Sequence, residues 1–232
     1  MLNKILNILF PETCPVCQKP SSDHKTAPIC NNCWGTVMPY EGPSCSKCGT
    51  PLVSDLSLTC GECHKNEPAF DKAQCFGLHE GALQKAISLF KFHGIKRLSY
   101  PLSEKILLKQ LPQADMLLPV PLHKKRLKYR GFNQSALLGK YIAQRSGMPL
   151  TLNTLVRIKN TIPQVGLSAV DRELNIKNAF DVISEEKVKG KKIMLVDDVF
   201  TTGATVRECS RVLKRAGAEK VYVVTLTHGK LD

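Results

Sequence analysis

Residues 192–205 read KIMLVDDVFTTGAT, and this stretch decides the fold. Its apolar part, residues 193–196, is short and rich in β-forming side chains, which is typical of a strand buried on both faces of a parallel sheet. Asp197 and Asp198 follow, where we expect the strand to end. After a loop of small and hydroxylated residues, apolar side chains recur at helical spacing until Gly217, a residue suited to the end of a helix. The order predicts a strand, a tight loop and a helix.

The loop has the composition of an anion site; its residues are Thr201, Thr202, Gly203, Ala204 and Thr205. A small-residue turn that leads into a helix offers backbone N–H groups, hydroxyl donors and the positive end of the helix dipole, all of which suit a phosphate. The two aspartates accept hydrogen bonds when ionised, so they suit the hydroxyls of a sugar or an oxygen-held Mg²⁺ ion. Together these features predict a ribose 5-phosphate ligand. The alternative is that the aspartates only end the strand and help to cap the helix.

Segment 196–205, VDDVFTTGAT, resembles the signature of the type I phosphoribosyltransferases, whose fold binds 5-phosphoribosyl-1-pyrophosphate (PRPP) with Mg²⁺. The resemblance implies an α/β fold, with a parallel sheet flanked by helices. It also implies that Asp197 and Asp198 contact the ribose and act in catalysis, where their charge stabilises a positively charged ribosyl transition state. The loop that follows would wrap the 5-phosphate. Neither a Walker G-x-x-x-x-G-K nor a Rossmann G-x-G-x-x-G motif competes with it in this sequence.

Length and charge narrow the possible partners. The 232 residues, 43% of them hydrophobic, suffice for one or two domains with a sizeable core. Thirty-three Lys and Arg residues against twenty Asp and Glu residues give a formal net charge of +13. Eight cysteine thiolates on two Zn²⁺ ions would lower that charge by four, to about +9. The chain stays strongly basic, which indicates an anionic partner such as nucleic acid or an acidic membrane.

The N-terminal segment, residues 1–10 (MLNKILNILF), is apolar but lacks the basic start and the cleavage site of a secretory signal. Leu2, Ile5, Leu6 and Leu9 form a helical stripe, which predicts a short packing helix; a membrane anchor is the alternative, although the basic face and aromatics of an interfacial helix are missing. No run of about eighteen apolar residues occurs, so we expect no transmembrane segment. With a phosphosugar site downstream, these features indicate a cytoplasmic protein.

Eight of the ten cysteines form four C-x-x-C pairs near the start of the chain: Cys14/Cys17, Cys30/Cys33, Cys45/Cys48 and Cys60/Cys63. Two such pairs complete a tetrahedral Zn(Cys)₄ site, so the sequence predicts one or two structural Zn²⁺ ions. Disulfides are the alternative, but they are rare in a reducing cytosol. Sequential pairing closes short loops and costs the least chain entropy, although interleaved pairing stays open.

This cysteine-rich segment has few large apolar residues, so metal must provide much of its stability. We expect His24 and His64 to lie on the surface. Trp34 and Tyr40 are expected to pack on a knuckle, with stacking on a nucleic-acid base as the alternative. Pro68 marks the boundary. The sequence therefore predicts a zinc-ribbon domain at residues 1–67 and a second domain at residues 68–232.

A second buried-strand pattern covers residues 116–120 and is followed by the turn Val120, Pro121, Leu122 and His123. Ligands sit at the carboxyl ends of parallel strands, so this turn is a candidate pyrophosphate loop. We expect the next segment to be a basic loop; its cations are Lys124, Lys125, Arg126, Lys128 and Arg130. They suit pyrophosphate, nucleic acid or only water, and the interleaved Tyr129 and Phe132 favour nucleic acid.

Four helices are predicted around these strands, in addition to the one after the site loop. Apolar spacing predicts helices at residues 83–91 and 102–111. A further helix is expected over residues 134–146, with Gly147 at its end. Ser168 is a suitable N-cap for the last one, at residues 169–176, with Asp171 in its first turn.

Residues 119–135 (PVPLHKKRLKYRGFNQS), the T-x-x-Q at 161–164 and the L-S-x-x-x-R at 167–172 resemble the ComF family of competence proteins, as does the cysteine-rich start. The resemblance covers nearly the whole chain. It implies a zinc module in front of a phosphoribosyltransferase-like domain, and a role in natural transformation on single-stranded DNA that has entered the cytosol. It also implies a helicase and recombination mediator proteins as partners.

Three functional hypotheses follow. The first is a competence-type protein that binds single-stranded DNA and carries a PRPP–Mg²⁺ site. The second is an active phosphoribosyltransferase, for which no pattern in the sequence specifies the acceptor. The third is a scaffold that uses the ligand site to sense nucleotide status.

Overall fold

A computed structural model describes residues 12–21, 23–162 and 168–229. The helix predicted at residues 1–10 and part of the motifs at 161–172 lie outside the described residues. The strands are β1 (Glu12–Thr13), β2 (Pro20–Ser21), β3 (Lys72–Leu78), β4 (Met116–Pro119), β5 (Leu155–Arg157), β6 (Phe180–Val182), β7 (Lys192–Phe200) and β8 (Lys220–His228). The helices are α1 (Asn31–Gly35), α2 (Gly61–Lys65), α3 (Gly81–Phe92), α4 (Ser99–Leu107), α5 (Lys124–Arg130), α6 (Gln134–Ser146), α7 (Ala169–Ile176) and α8 (Ala204–Arg215), with 3-10 turns at Lys96–Leu98 and Glu185–Lys187.

The core is a four-stranded parallel sheet in the order β3-β8-β7-β4. All four residues of the apolar run 193–196 are fully buried, as expected of a strand with neighbours on both sides and helices on both faces. Two antiparallel pairs, β1-β2 and β5-β6, lie outside this sheet. The predicted α/β architecture is therefore confirmed.

Strand β7 runs farther than the sequence suggested. We expected it to end at Asp197, but it continues to Phe200. Strand β4 stops pairing at Pro119 opposite Val196, whereas β8 continues to pair as far as His228 opposite Phe200. One edge of β7 is therefore open beside the two aspartates, and this opening creates the site.

The helices follow the predicted periods with two differences. Helix α4 spans Ser99–Leu107 and not the predicted residues 102–111, so it both begins and ends earlier. Pro101 lies in its first turn, where a missing N–H costs no hydrogen bond. The basic run is helix α5 rather than a loop, because His123 Nδ1 accepts from the N–H of Lys125 at one end (3.3 Å) and Gly131 adopts φ +77° at the other. Within the described ranges, no helix has the length and apolar character needed to cross a membrane.

The cysteine-rich segment packs on the sheet. Ile193 and Leu195 belong to one apolar cluster, and Met194 and Val196 to the other, so the clusters occupy opposite faces of the sheet. One cluster includes helix α8 and the later cysteines Cys45, Cys48 and Cys63. The other includes α3, α4 and α6 and the earlier cysteines Cys14 and Cys30. The division into domains at residues 1–67 and 68–232 stays a prediction.

Candidate functional site

Two groups of four cysteines lie together in the structure. The first tetrad is Cys14, Cys17, Cys30 and Cys33, and the second tetrad is Cys45, Cys48, Cys60 and Cys63. All four sulfur atoms of each tetrad lie within 4.8 Å of one another. A tetrahedral Zn²⁺ with Zn–S bonds of about 2.3 Å spaces its sulfurs by about 3.8 Å, and the Cys17–Cys30 and Cys48–Cys60 sulfur distances are 3.7 and 3.6 Å. The donor sets fit zinc, and the sequential pairing is confirmed.

Other predictions for this module agree with the structure. Both His24 and His64 are exposed, and all eight cysteines are free of disulfides. Trp34 packs against the apolar cluster, with the Lys105 ammonium 5.6 Å from the centre of its ring. The hydroxyl of Tyr40 donates to the carbonyl of Pro43 at 3.1 Å. Both aromatic residues are therefore engaged by the protein, as the packing interpretation expects.

A cleft of about 1220 Å³ opens at the carboxyl edge of the sheet. Most of the predicted ligand residues line this sheet-edge cleft: Asp197, Asp198, Thr201, Gly203, Ala204, Thr205, Val120, Pro121, Leu122, Lys125, Arg126 and Arg130. Four predicted residues are not among its lining: Thr202, His123, Lys124 and Lys128. The Thr202 hydroxyl instead accepts from the N–H of Ala204 (3.4 Å), and His123 caps α5. The cleft therefore brings together the two strand ends that the sequence singled out.

The two aspartates have different surroundings. Asp198 is 3% exposed; Lys91 Nζ donates to its Oδ1 at 2.9 Å, and Gln134 Nε2 donates to its Oδ2 at 3.4 Å. The Asp197 Oδ1 accepts from the Ser135 hydroxyl at 2.8 Å. Burial, and then the charge of Asp198, raise the pKa of Asp197 to about 7, against the opposing effect of Lys91. The protonation state of Asp197 therefore changes near neutral pH.

Three of these partners were missed at the sequence level. Lys91 lies at the end of α3, and no local pattern links it to Asp198, 107 residues later. Gln134 and Ser135 start helix α6, which Asn133 caps by accepting from the N–H of Ser135 at 3.0 Å. Both belong to the FNQS segment, where polar residues at a helix start beside a strand end were a usable signal.

The phosphate loop, residues 201–205, depends on one glycine. Gly203 has φ +77°, a left-handed conformation that favours glycine. A Cβ atom at this position would lie 2.5 Å from the Phe200 ring. Helix α8 starts at Ala204, so its positive dipole end faces the cleft at the loop. This geometry suits an anion.

Four arginines also line the cleft: Arg126, Arg130, Arg157 and Arg172. Arg126 and Arg130 come from α5, and Arg157 comes from β5. Burial lowers the pKa of both Arg130 and Arg157, and the charge of Arg126 lowers each of them further. Arg157 stacks over the Phe180 ring at 5.5 Å and donates to the Thr161 hydroxyl, while its buried Nε has no hydrogen-bond partner among the described residues. Crowded, partly desolvated guanidinium groups favour a bound anion, which relieves their mutual repulsion.

Of the two aromatic residues that the sequence associated with the basic run, Tyr129 is exposed and Phe132 is not. Phe132 is 7% exposed and packs 5.6 Å from the Phe90 ring, so it is not available to stack on a base. Tyr129 is 94% exposed at the cleft. Phe92, which the sequence did not single out, also lines the cleft; it is 61% exposed, with the Arg130 guanidinium 5.8 Å from its ring centre. The cleft mouth therefore carries two exposed aromatic side chains.

Two family models match the chain: a double zinc ribbon domain over residues 5–64 and a phosphoribosyl transferase domain over residues 134–230. These segments contain both tetrads, the two aspartates and the phosphate loop. The helix that carries Lys91 and the α5 arginines lie outside them. Together with the parallel sheet and the tetrads, the models confirm the predicted fold class.

Three curated proteins are similar over most of their length. Competence protein F of Haemophilus influenzae is 34% identical over 204 residues, which are 84% of this chain and 88% of that protein. DNA utilization protein YhgH of Salmonella typhi is 33% identical over 225 residues, 93% of this chain and 96% of that protein. Competence protein ComFC of Bacillus subtilis is 26% identical over 199 residues, 82% of this chain and 79% of that protein.

Proposed function

The chain belongs to the ComF family of competence proteins, and we propose that it binds single-stranded DNA in the cytosol during natural transformation and carries a PRPP–Mg²⁺ site. The observation that carries the ligand part is the sheet-edge cleft, which is lined by two carboxylates, a glycine-dependent loop and four arginines. This arrangement pairs acceptors for sugar hydroxyls with donors for phosphates at both ends of one cavity. A phosphoribosyl ligand with two anionic ends matches it.

Each part of PRPP has a proposed partner. Asp197 and Asp198 take the ribose hydroxyls, and residues 201–205 with the start of α8 take the 5-phosphate. The turn at 120–123, with Arg126 and Arg130 behind it, takes the pyrophosphate. The oxygen donors at the open edge suit Mg²⁺, which neutralises charge on the pyrophosphate when bound. Lys91 and Gln134 hold Asp198 in place for this role.

Single-stranded DNA would bind at the mouth of the same cleft and along the exposed side of α5. Lys124 and Lys128 of α5 are exposed outside the cleft lining, and Tyr129 and Phe92 are exposed at its mouth. Cations along a groove hold the phosphate backbone, and exposed rings stack on bases without sequence preference. The formal charge of +13, or about +9 with zinc bound, supports the same partner. A competence helicase and a recombination mediator are the proposed protein partners.

Fluorescence anisotropy of a labelled single-stranded oligonucleotide, titrated with zinc-loaded protein at several salt concentrations, tests the DNA proposal. We expect tight binding that weakens steeply with salt and resists duplex competitor. Isothermal calorimetry with PRPP and Mg²⁺ tests the ligand proposal separately. Absence of DNA binding at physiological salt would contradict the first, and absence of PRPP binding the second.

Active phosphoribosyl transfer to an unidentified acceptor is the second candidate. The raised pKa of Asp197, beside a fixed Asp198, favours it, because perturbed carboxylates cluster at catalytic sites. Release of pyrophosphate from PRPP in the presence of candidate bases, amines and nucleic acids is the measurement. Release that depends on both an acceptor and Asp197 would establish the enzyme; PRPP binding without any release would favour a sensor scaffold instead.

A further inference from the structure

A continuous series of contacts links the second tetrad to the phosphate loop. The hydroxyl of Thr50 lies 2.9 Å from Cys48 Sγ and 2.8 Å from His228 Nε2. Thr50 and His228 are both buried, and His228 Nδ1 lies 2.8 Å from the Gly229 carbonyl. The His228 ring stacks on Phe200, with centroids 5.0 Å apart and an angle of 31°. Three contacts, through Thr50 and His228, therefore connect the zinc ligand Cys48 with Phe200, the residue that precedes the loop.

Phe200 in turn determines the shape of the loop. Its carbonyl accepts from the N–H of Gly229 at 2.6 Å, and its ring lies under Gly203, at the place that a Cβ atom would occupy. The Phe70 ring closes the remaining side, edge-on at 6.2 Å. Because Phe200 is 3% exposed and enclosed by these groups, a shift of His228 must be passed to Gly203.

A second link between the second tetrad and the phosphate loop runs through helix α8, which follows the loop. Arg207, in the second turn of α8, donates from Nη1 to the Asn66 carbonyl at 2.7 Å and from Nη2 to Cys63 Sγ at 3.6 Å. Its backbone N–H donates to the Gly203 carbonyl at 2.8 Å. Asn66 caps the helix that carries Cys63. Both links from the second tetrad therefore meet at Gly203, the middle residue of the phosphate loop.

We infer that the second tetrad positions the phosphate loop through Thr50, His228 and Arg207, so that an anion at the loop and zinc at this tetrad stabilise each other. The inference rests on the proposed PRPP site. Thermodynamic linkage is reciprocal: if zinc binding organises the loop for phosphate, bound phosphate must hold the tetrad against loss of zinc by the same factor. The three residues are positioning residues and do not touch the ligand.

The first tetrad serves as an internal control for the second tetrad. Its segment is held by helix α4 and the turn before it: Lys105 Nζ donates to the Val37 carbonyl at 2.7 Å, and Arg97 donates to the Ala27 carbonyl at 3.0 Å. Cys14 and Cys30 of this tetrad belong to the cluster on the opposite face of the sheet from α8, and Pro15 and Val16 beside Cys14 line the cleft. A ligand at the phosphate loop should therefore leave the first tetrad nearly unchanged.

The test uses the full zinc-loaded chain and measures cysteine alkylation by isotope-coded N-ethylmaleimide, peptide by peptide, in a mass spectrometer. PRPP with Mg²⁺ is the probe, and calorimetry on the same sample establishes its binding. We expect saturating PRPP to slow alkylation of the second tetrad roughly three- to tenfold, the effect of about one hydrogen bond, and to leave the first tetrad unchanged. Bound PRPP that slows neither tetrad, or both equally, overturns the inference. A chain that binds no PRPP overturns the proposed site and the inference with it.

Two matched pairs of variants locate the connection. Thr50→Val removes the hydroxyl between Cys48 and His228, whereas Thr26→Val removes an equally buried hydroxyl of the first ribbon, which donates to the Ile29 carbonyl. Arg207→Ala removes the link to Cys63, whereas Arg211→Ala, one turn later, removes an ion pair with the largely buried Glu208 and a hydrogen bond to Asn178. We expect Thr50→Val and Arg207→Ala to weaken PRPP binding about three- to tenfold and to abolish the protection of the second tetrad. Equal effects in the two control variants would contradict the assigned route.

Discussion

Lys91 and Asp198 form an ion pair of 2.9 Å across 107 residues of sequence. The side chain of Asp198 is 5% exposed and that of Lys91 is 26% exposed, so the pair lies largely out of water at the base of the cleft. With Gln134 on its second oxygen, Asp198 is held by helices on one face of the sheet. Of the two carboxylates, Asp197 is therefore the one whose charge changes with pH near neutrality and on binding of a ligand.

Removing the Lys91 cation should destabilise the fold. In Lys91→Met, Asp198 stays buried without its ion partner, and we expect the free energy of unfolding to fall by about 1–3 kcal/mol. Urea denaturation monitored by circular dichroism measures the change. Lys85→Met, an exposed position on the same helix, is the control and should stay within about 0.5 kcal/mol of the parent chain. Equal losses in both variants would show that the ion pair contributes little.

Asp197→Asn should raise stability and abolish PRPP binding at the same pH. The folded-state pKa of Asp197, about 7, lies above its ordinary value of 3.8. The folded chain therefore holds this proton more tightly than the unfolded chain does, and Asp197 lowers stability progressively as the pH rises from about 4 to about 7. At pH 8 we expect the variant to gain about 1–2 kcal/mol, a figure reduced for the partial exposure of the side chain, and at pH 4 to match the parent.

Thermal unfolding from pH 4 to pH 8, together with calorimetry at pH 8, measures both effects. If Asp197→Asn raises the free energy of unfolding and lowers the affinity for PRPP, the role of Asp197 is to bind the ligand and not to stabilise the fold. A stability loss at pH 8 would instead favour the alternative that the aspartates only end the strand and cap the helix.

Local patterns predicted much of the fold. Helix α6 has its predicted bounds, and Ser168 caps α7 by accepting from the N–H of Asp171 at 3.1 Å. Both tetrads follow from C-x-x-C spacing. The helix bounds, the cap and each C-x-x-C pair were predictable because each depends on residues within about one or two turns of each other, whereas the two pairs of a tetrad are separated by twelve or eleven residues.

Features that depend on long-range contacts could not be predicted from the sequence. The Lys91–Asp198 pair exists because the chain order places α3 beside the end of β7, which no local period encodes. Phe132 resembles a base-stacking residue in a basic run, yet contact with Phe90 buries it. Strand β7 extends to Phe200 because β8 supplies partners on one side only. In each case a tertiary neighbour overrides the local pattern.

Gly203→Ala should impair the phosphate loop far more than an ordinary glycine substitution. The new methyl group would meet the Phe200 ring, in addition to the cost of a left-handed backbone at φ +77°. Gly190 has φ +70°, and no atom of the described residues lies within 4 Å of its would-be Cβ, so Gly190→Ala carries the backbone cost alone. We expect both variants to lose about 1 kcal/mol of stability from the backbone, and only Gly203→Ala to lose about tenfold or more in PRPP affinity. Unimpaired PRPP binding in Gly203→Ala would place the phosphate elsewhere.

The cations of α5 should separate into two groups. Lys124 and Lys128 lie outside the cleft lining, whereas Arg126 and Arg130 line it. Replacing both lysines with alanine should weaken single-stranded DNA binding and reduce the slope of log affinity against log salt by about 0.7 for each lost phosphate contact, with PRPP affinity unchanged. Replacing both arginines should weaken PRPP binding more than DNA binding, because the arginines line the same cavity as Asp197.

Anisotropy at four salt concentrations and calorimetry with PRPP, on the same two variants, measure the separation. Both pairs of cations lie on the same short helix, so a difference in ligand affinity between the two variants shows from which side each ligand approaches α5. Far-ultraviolet circular dichroism checks that neither variant has lost the helix. If the lysine variant loses PRPP affinity as strongly as the arginine variant does, the two ligands share one set of cations, and DNA must then enter the cleft itself.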